Sequence, residues 1–225
     1  MTPRSRLLLL AGGAAAAVSV AVPLRRSSQP EAEGQASSAA PPKSKPTPPG
    51  APATLAAPPM SPPSSKVLTS DGKGHRFVER RYEPPYPLPA RAPPYGQSDT
   101  PEDAAAAYLS AMAAVDWDGA WSRWAEKDRA GSKTPEADKR KILDLWTREL
   151  RGRAFVLLRR IDVEGYVILY YRRADRGDDD PLAKTPIALA RDQAGHWWLT
   201  QDLGAHPVFG YDCWREGVDV RVVEP

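Results

Sequence analysis

The chain has 225 residues, with 25 Pro, 16 Gly, 7 Trp, 3 His, a single Cys and a formal net charge of +3. Nineteen of the prolines fall in the first 100 residues, and all seven tryptophans lie at or beyond Trp117, so one globular domain at the C-terminal end is expected rather than two. The basic balance belongs to the tail: residues 1–65 carry a net +4 and residues 66–98 a net +3, whereas residues 99–225 carry a net −4. A folded part that is acidic offers no basic face for a phosphate backbone, so nucleic-acid binding is not expected.

Residues 1–6 hold two arginines, residues 7–24 carry no charge, and Arg25-Arg26 follow at once. A basic start and an apolar core describe a secretory signal, with Ser19-Val20-Ala21 offering small residues for cleavage. The run also meets the lower limit of about 18 apolar residues for a helix that spans a bilayer. Residues 1–26 are therefore read as a cleaved signal or a retained membrane anchor. The rest of the chain is expected outside the cytoplasm, anchored in the inner membrane facing the periplasm, or periplasmic or secreted. Residues 27–65 form a Pro/Ala/Ser-rich disordered spacer with four Pro-Pro pairs, able to reach ~120 Å in polyproline geometry. Residues 66–98 are transitional. They hold a candidate hairpin around Asp71-Gly72, with His75 read as a solvated loop residue, and then a proline-rich extended stretch with Tyr82, Tyr86 and Tyr95 interleaved.

Residues 99–225 are assigned to the domain. Thr100-Pro101-Glu102-Asp103 is a helix start: a capping hydroxyl, a proline suited to the first turn and acids at the positive end of the dipole. Ala105, Tyr108, Leu109, Met112 and Val115 mark one face of that helix, and Asp116-Trp117-Asp118-Gly119 ends it. A short second helix carries Trp117, Trp121 and Trp124. A third, opened by Thr134-Pro135-Glu136, carries Ile142, Leu145, Trp146 and Leu150. The period then changes. Strands are predicted over 154–158, 166–171, 185–190 and 195–200, with an edge strand at Val218, Val220 and Val222. The expected fold class is α+β: three N-terminal helices packed on a curved antiparallel sheet of four to five strands, behind a disordered tail.

The stretch from Tyr108 through Asp116-Trp117-Asp118 to Trp121 resembles the first two helices of the nuclear-transport-factor-2-like superfamily, the cone fold that includes SnoaL-like and ketosteroid isomerase proteins. The segment Gln193-Ala194-Gly195-His196-Trp197-Trp198 is similar to that family's closing strand. The resemblance covers roughly residues 100–209. It implies a conical pocket between helices and sheet, but no single activity, because the fold hosts enzymes, binding modules and assembly factors. Tyr108 matches the position of the isomerases' oxyanion-donating tyrosine. The base carboxylate those enzymes need has no counterpart in 126–133, and Tyr108 reads more simply as a core aromatic.

Tyr108, Met112, Trp121, Trp124 and Trp146 are the candidate pocket-lining residues. No catalytic residue is assigned and no cofactor is expected. One cysteine excludes a disulfide framework and a thiolate zinc site, and Cys213 reads as a small apolar residue beside Trp214, with an inter-chain disulfide as the alternative. His196, Asp202 and His206 lack the spacing of a metal ligand set, and Asp178-Asp179-Asp180 lacks that of a calcium loop. The leading expectation is an exported, membrane-tethered, non-enzymatic binding or assembly module of the bacterial envelope. Its layout is similar to the inner-membrane assembly component of type IV secretion systems and to Mce-associated membrane proteins. Its partners would be other envelope proteins, a second copy of the chain in a dimer, a small apolar ligand, and the membrane through residues 7–24. The alternative is a small-molecule-binding or isomerase/dehydratase-like enzyme.

Overall fold

The computed structural model describes residues 58–70, 72–130, 134–177, 185–211 and 219–223. Residues 1–26, read above as a signal or anchor, most of the spacer, Asp178-Asp179-Asp180, Cys213 and Val218 lie outside the described residues. Among the described residues, no helix is long and apolar enough to cross a membrane.

The chain is α+β, but the sheet dominates. Strand β1 (Ser64–Ser70) turns into the long β2 (Lys73–Pro87), with Gly72 at φ 70 supplying the left-handed turn geometry. A helical excursion follows: α1 (Pro101–Ala113), α2 (Trp117–Trp121), α3 (Glu126–Ala130) and α4 (Glu136–Glu149). Strands β3 (Phe155–Val163), β4 (Tyr166–Arg173), β5 (Thr185–Arg191), β6 (Trp197–Leu199) and β7 (Asp219–Val222) complete one seven-stranded sheet in the order β6-β5-β4-β3-β2-β1-β7. Every pair is antiparallel, so the first six strands form a meander and β7 returns to the free edge of β1.

This corrects the expectation of three N-terminal helices on a four- to five-stranded sheet. Among the described residues the sheet has seven strands and there are four helices, two of them only five residues long. Nor do the helices come first: they are inserted between β2 and β3, which are neighbours in the sheet. Strands β1 and β2 form the candidate hairpin around Asp71-Gly72, which the sequence reading left outside the domain's sheet, and they extend it into Ser64-Ser65 of the assigned spacer and through Pro87 of the proline-rich stretch. The cause is local. Alternation along β2 places Phe77 and Glu79 on one face and Val78, Arg80 and Tyr82 on the other, so charges stand where apolar residues mark a strand. Prolines 84, 85 and 87 then suggest an extended tail, although the strand continues through a register shift to pair Tyr86 with Leu157.

Both faces of the central strands are covered. On one face, Leu68, Phe77, Ile161, Ile168 and Tyr170 meet Leu203, Val208 and Tyr211 of the C-terminal segment. On the other, Tyr82, Leu157, Val167, Leu169 and Leu189 meet Ala104 and Ala105 of α1. This double cover explains why β4 reads Tyr-Val-Ile-Leu-Tyr-Tyr without alternation: residues 167–170 are all buried. A third cluster lies among the helices and joins Leu109 and Met112 of α1, Ala120 of α2 and Trp146 of α4 to Phe155 of β3.

Candidate functional site

The helical excursion builds a continuous row of aromatic rings. Helix α1 starts as its sequence dictates, with Thr100 Oγ1 accepting from Asp103 N–H at 3.1 Å. It stops at Val115, which takes a positive φ of 58, and Asp116 then caps α2 by accepting from Gly119 N–H at 2.9 Å. A side chain at 119 would overlap the Asp116 carboxylate and the Tyr95 ring, so the tight turn requires glycine there. The single turn of α2 presents Trp117 and Trp121 with their rings stacked 6.0 Å apart. After α2, backbone bonds from Ala125 N–H to Leu199 O (2.8 Å) and from Leu199 N–H to Arg123 O (3.0 Å) fix Trp124 against β6.

The rings then run in sequence. Trp146 stacks on Trp117 at 5.7 Å and Trp117 on Trp121, Trp121 meets Trp124 at a tilt of 40° and 6.2 Å, and Trp124 meets Tyr108 edge-on at 6.1 Å. Lys139 places its ammonium 5.6 Å from the Trp117 ring, and Arg123 lies 5.7 Å from that of Trp198. Trp146 is buried, and the other four rings are only partly buried. Trp117 packs on the cluster among the helices, Trp124 on the α1 face of the sheet, and Tyr108 on both. Among the described residues, Trp121 joins none of the three buried clusters, and its ring contacts are Trp117 and Trp124.

The five predicted pocket residues are therefore sorted by the fold. Tyr108, Trp121 and Trp124 are consecutive in the row, and Trp146 joins it through Trp117. Met112 is buried in the cluster among the helices and takes no part in the row. A shallow depression on the exposed side of α4 is lined by Lys141, Asp144, Thr147 and Arg148, and by none of the five. Burial pushes the Tyr108 phenol up, with the Tyr171 phenol beside it adding to the shift, and burial pushes Tyr171 up to about 12. Trp117, which links Trp146 to the others, was legible only as a member of the helix stripe.

Charged side chains pair across strands on both faces of the sheet. Glu79, 3% exposed, accepts from Lys66 Nζ and from Tyr211 Oη, each at 2.9 Å, with Arg159 Nη1 at 3.6 Å. On the opposite face, Glu102 of α1 accepts from Tyr82 Oη at 2.6 Å and from Arg160 at 3.2 Å, and Arg160 also grips Asp162. Arg159 and Arg160 sit within β3. Arg173, at the end of β4, pairs with Asp175 at 2.6 Å.

The histidines also move from their expected places. His196 pairs with Asp99 at 3.3 Å, and Asp202 is taken by Lys127 and Tyr166. His75 lies within β2, partly buried, and faces His206 and Glu164. These three offer ligand atoms within 4.8 Å of one another, the one set of metal-binding character among the described residues. Their separation in the chain, 75 to 164 to 206, leaves no spacing for a sequence to reveal.

No family model, curated protein or solved structure matches the chain.

Proposed function

We propose that the domain is a non-enzymatic binding or assembly module, exported to the cell envelope behind residues 1–26, and that the aromatic row is its contact surface. One observation carries this reading: Trp121, among the largest apolar side chains a protein can hold, is kept partly open between two other tryptophans and is inserted into no core. Partly open Trp and Tyr rings that form one patch are the composition of interface hot spots, where a large ring desolvates at little cost in side-chain entropy. A surface that is merely solvated has no need to stack four such rings. The insertion of all four helices between two paired strands supports the same reading, because the sheet alone completes the strand meander and the excursion adds the row to it.

The test is Trp121→Ala in the full chain. The domain should keep its thermal midpoint to within a few degrees, in contrast to Trp146→Ala, whose ring is buried and whose loss is expected to cost ~3–5 kcal/mol. A photo-crosslinker placed at position 121 in the host envelope should yield a discrete adduct with a second polypeptide or a second copy, and Trp121→Ala should abolish the matching complex in native mass spectrometry. Destabilisation of Trp121→Ala as large as that of Trp146→Ala would make the row a core feature and overturn the proposal. A retained small molecule on a monomer, lost in Tyr108→Phe, would also overturn it and point to a ligand-binding domain.

A further inference from the structure

We propose that His75, Glu164 and His206 form a binding site for one divalent transition-metal ion of the zinc class, on the sheet face away from the helices. Two of the chain's three histidines meet there, although 131 positions separate them. Each ligand comes from a separately anchored segment. His75 stands in β2 opposite Leu68 of β1. Glu164 occupies the β3–β4 turn at φ 49, a left-handed conformation costly for a residue with a side chain, with Gly165 following at φ 84. His206 lies between Leu203 and Val208, both buried, and its backbone is fixed by His206 N–H to Leu203 O (2.9 Å) and Phe209 N–H to His206 O (3.0 Å).

The side chains converge. The two imidazoles meet edge-on, ring centroids 5.0 Å apart, and His206 Nε2 is 3.6 Å from Glu164 Oε1. The imidazole side of the site is sheltered, with the His206 side chain 13% exposed, whereas Glu164 at 61% opens to solvent. Zinc–nitrogen bonds of ~2.0–2.1 Å and zinc–oxygen bonds of ~2.0–2.2 Å hold tetrahedral ligand atoms ~3.3 Å apart. The present spread of up to 4.8 Å must therefore contract by ~1.5 Å at most. The exposed Glu164 side chain and the partly buried His75 ring can supply this by small rotations. Two imidazoles and one carboxylate suit Zn²⁺, Co²⁺ or Ni²⁺. Calcium and magnesium take oxygen ligands and are disfavoured. Three protein ligands leave a fourth position for water.

The hydrogen bonding adds a signature. Val208 N–H donates to His206 Nδ1 at 3.3 Å, so the neutral ring carries its proton on Nε2. Coordination through Nε2 requires that proton to move to Nδ1, and the long Val208 contact is then released. A bound ion would clip the C-terminal segment, which covers one sheet face, to both hairpin turns beside it.

The experiment uses tag-free full chain, stripped with chelator and titrated with ZnCl₂ by calorimetry, with CoCl₂ as a spectroscopic probe. One equivalent should bind, raise the thermal midpoint and shift the Val208 amide resonance. His75→Gln, Glu164→Gln and His206→Gln should each weaken binding by more than the ~10- to 100-fold that loss of a supporting partner costs. His196→Gln and Cys213→Ser should leave it unchanged. His75→Gln, in a partly exposed ring, keeps the test valid if His206→Gln does not fold. Absence of saturable binding would overturn the proposal. So would one-equivalent binding that His75→Gln and Glu164→Gln leave intact, or binding lost only in Cys213→Ser.

Discussion

Replacing Glu79 by Gln should remove a large part of the domain's stability, and the structure sets the scale. The carboxylate is 3% exposed, Lys66 and Tyr211 donate hydrogen bonds to it, and Arg159 and the exposed Arg81 stand at ion-pair distances of 3.6 and 3.7 Å. The side chains of Lys66 and Arg159 are themselves only 18% and 12% exposed, so neither cation can turn fully to water when the anion is lost. Gln keeps the volume and one acceptor oxygen but removes the charge that both cations share. Breaking a buried ion pair from one side costs ~3–5 kcal/mol, and a domain of this size loses ~2–4 °C of melting temperature per kcal/mol. A fall of ~6–20 °C is therefore expected on those scales, read by tryptophan fluorescence during thermal or urea unfolding. The same hub sets the acid response. Burial alone would raise the Glu79 pKa, but the Lys66 hydrogen bond, the Arg159 charge and the Tyr211 hydrogen bond outweigh it and hold the carboxyl below its ordinary value. The folded state then binds fewer protons than the unfolded state between the two values. Its contribution to stability is complete above the unfolded pKa, ~4.3, and is lost as the pH falls through the lower folded one. Glu79→Gln should lack this component and show a shallower acid slope below about pH 4.3. The double change Glu79→Gln with Lys66→Met should recover part of the loss, because one stranded charge is removed with its partner. A single variant within ~1 kcal/mol of the parent, with an unchanged acid slope, would refute this account of the hub.

The pin between α1 and the sheet makes Tyr82→Phe costly by ~1.5–3 kcal/mol, the range for a hydrogen bond to a charged group, because Glu102 keeps only Arg160. Urea midpoints should show this loss, and Tyr86→Phe, on a partly exposed ring, should not. Gly119→Ala should destabilise by ~1–3 kcal/mol through overpacking against Asp116 and Tyr95, and should change the near-ultraviolet dichroism of the stacked Trp117 and Trp121 rings. A silent Gly119→Ala would show that the turn into α2 relaxes without disturbing the row.

What the sequence made legible was governed by short-range chemistry. Thr100-Pro101 opens α1, Asp116 stops it and caps the next turn, and the turn at Glu164-Gly165 joins β3 to β4, each recognisable from two or three neighbouring residues. What stayed hidden was set by partners distant in the chain. Strand β2 carries Glu79 and Arg80 at inward-facing positions, which is tolerable because Lys66, Arg159 and Asp162 of neighbouring strands and Tyr211 of the C-terminal segment partner them. The stretch 126–130, four charged residues and one alanine, gave no period from which a single helical turn could be read, and α3 buries none of its residues. For the aromatic row, the stripe of Trp117, Trp121 and Trp124 was visible. Its link to Trp146 and Tyr108, and the exclusion of Trp121 from the cores, depend on how α4 and α1 pack.

The route by which a partner could approach follows from how the sheet is closed. Its two faces are already occupied, one by α1 and the other by the segment carrying Leu203, Val208 and Tyr211. Its edges are poor templates for strand addition. At one end, β6 is three residues long and its backbone is engaged by Arg123 and Ala125. At the other, β7 has four residues, and Asp219 and Arg221, ion-paired at 2.9 Å, punctuate its edge. Val222, 69% exposed, is a single apolar residue there rather than a patch. Among the described residues, an apolar feature still in contact with solvent is the row from Trp117 to Tyr108 on the helical excursion, held in place by the Trp124–Leu199 bridge at one end and by Trp146 at the other. A partner that docked on the row would leave the sheet intact, whereas one that docked on either sheet face would first have to displace α1 or the C-terminal segment. Hydrogen exchange in the complex separates the two cases. Docking on the row slows exchange around residues 117–125 and leaves β3 and β4 unchanged, while displacement of a covering segment speeds exchange in those central strands.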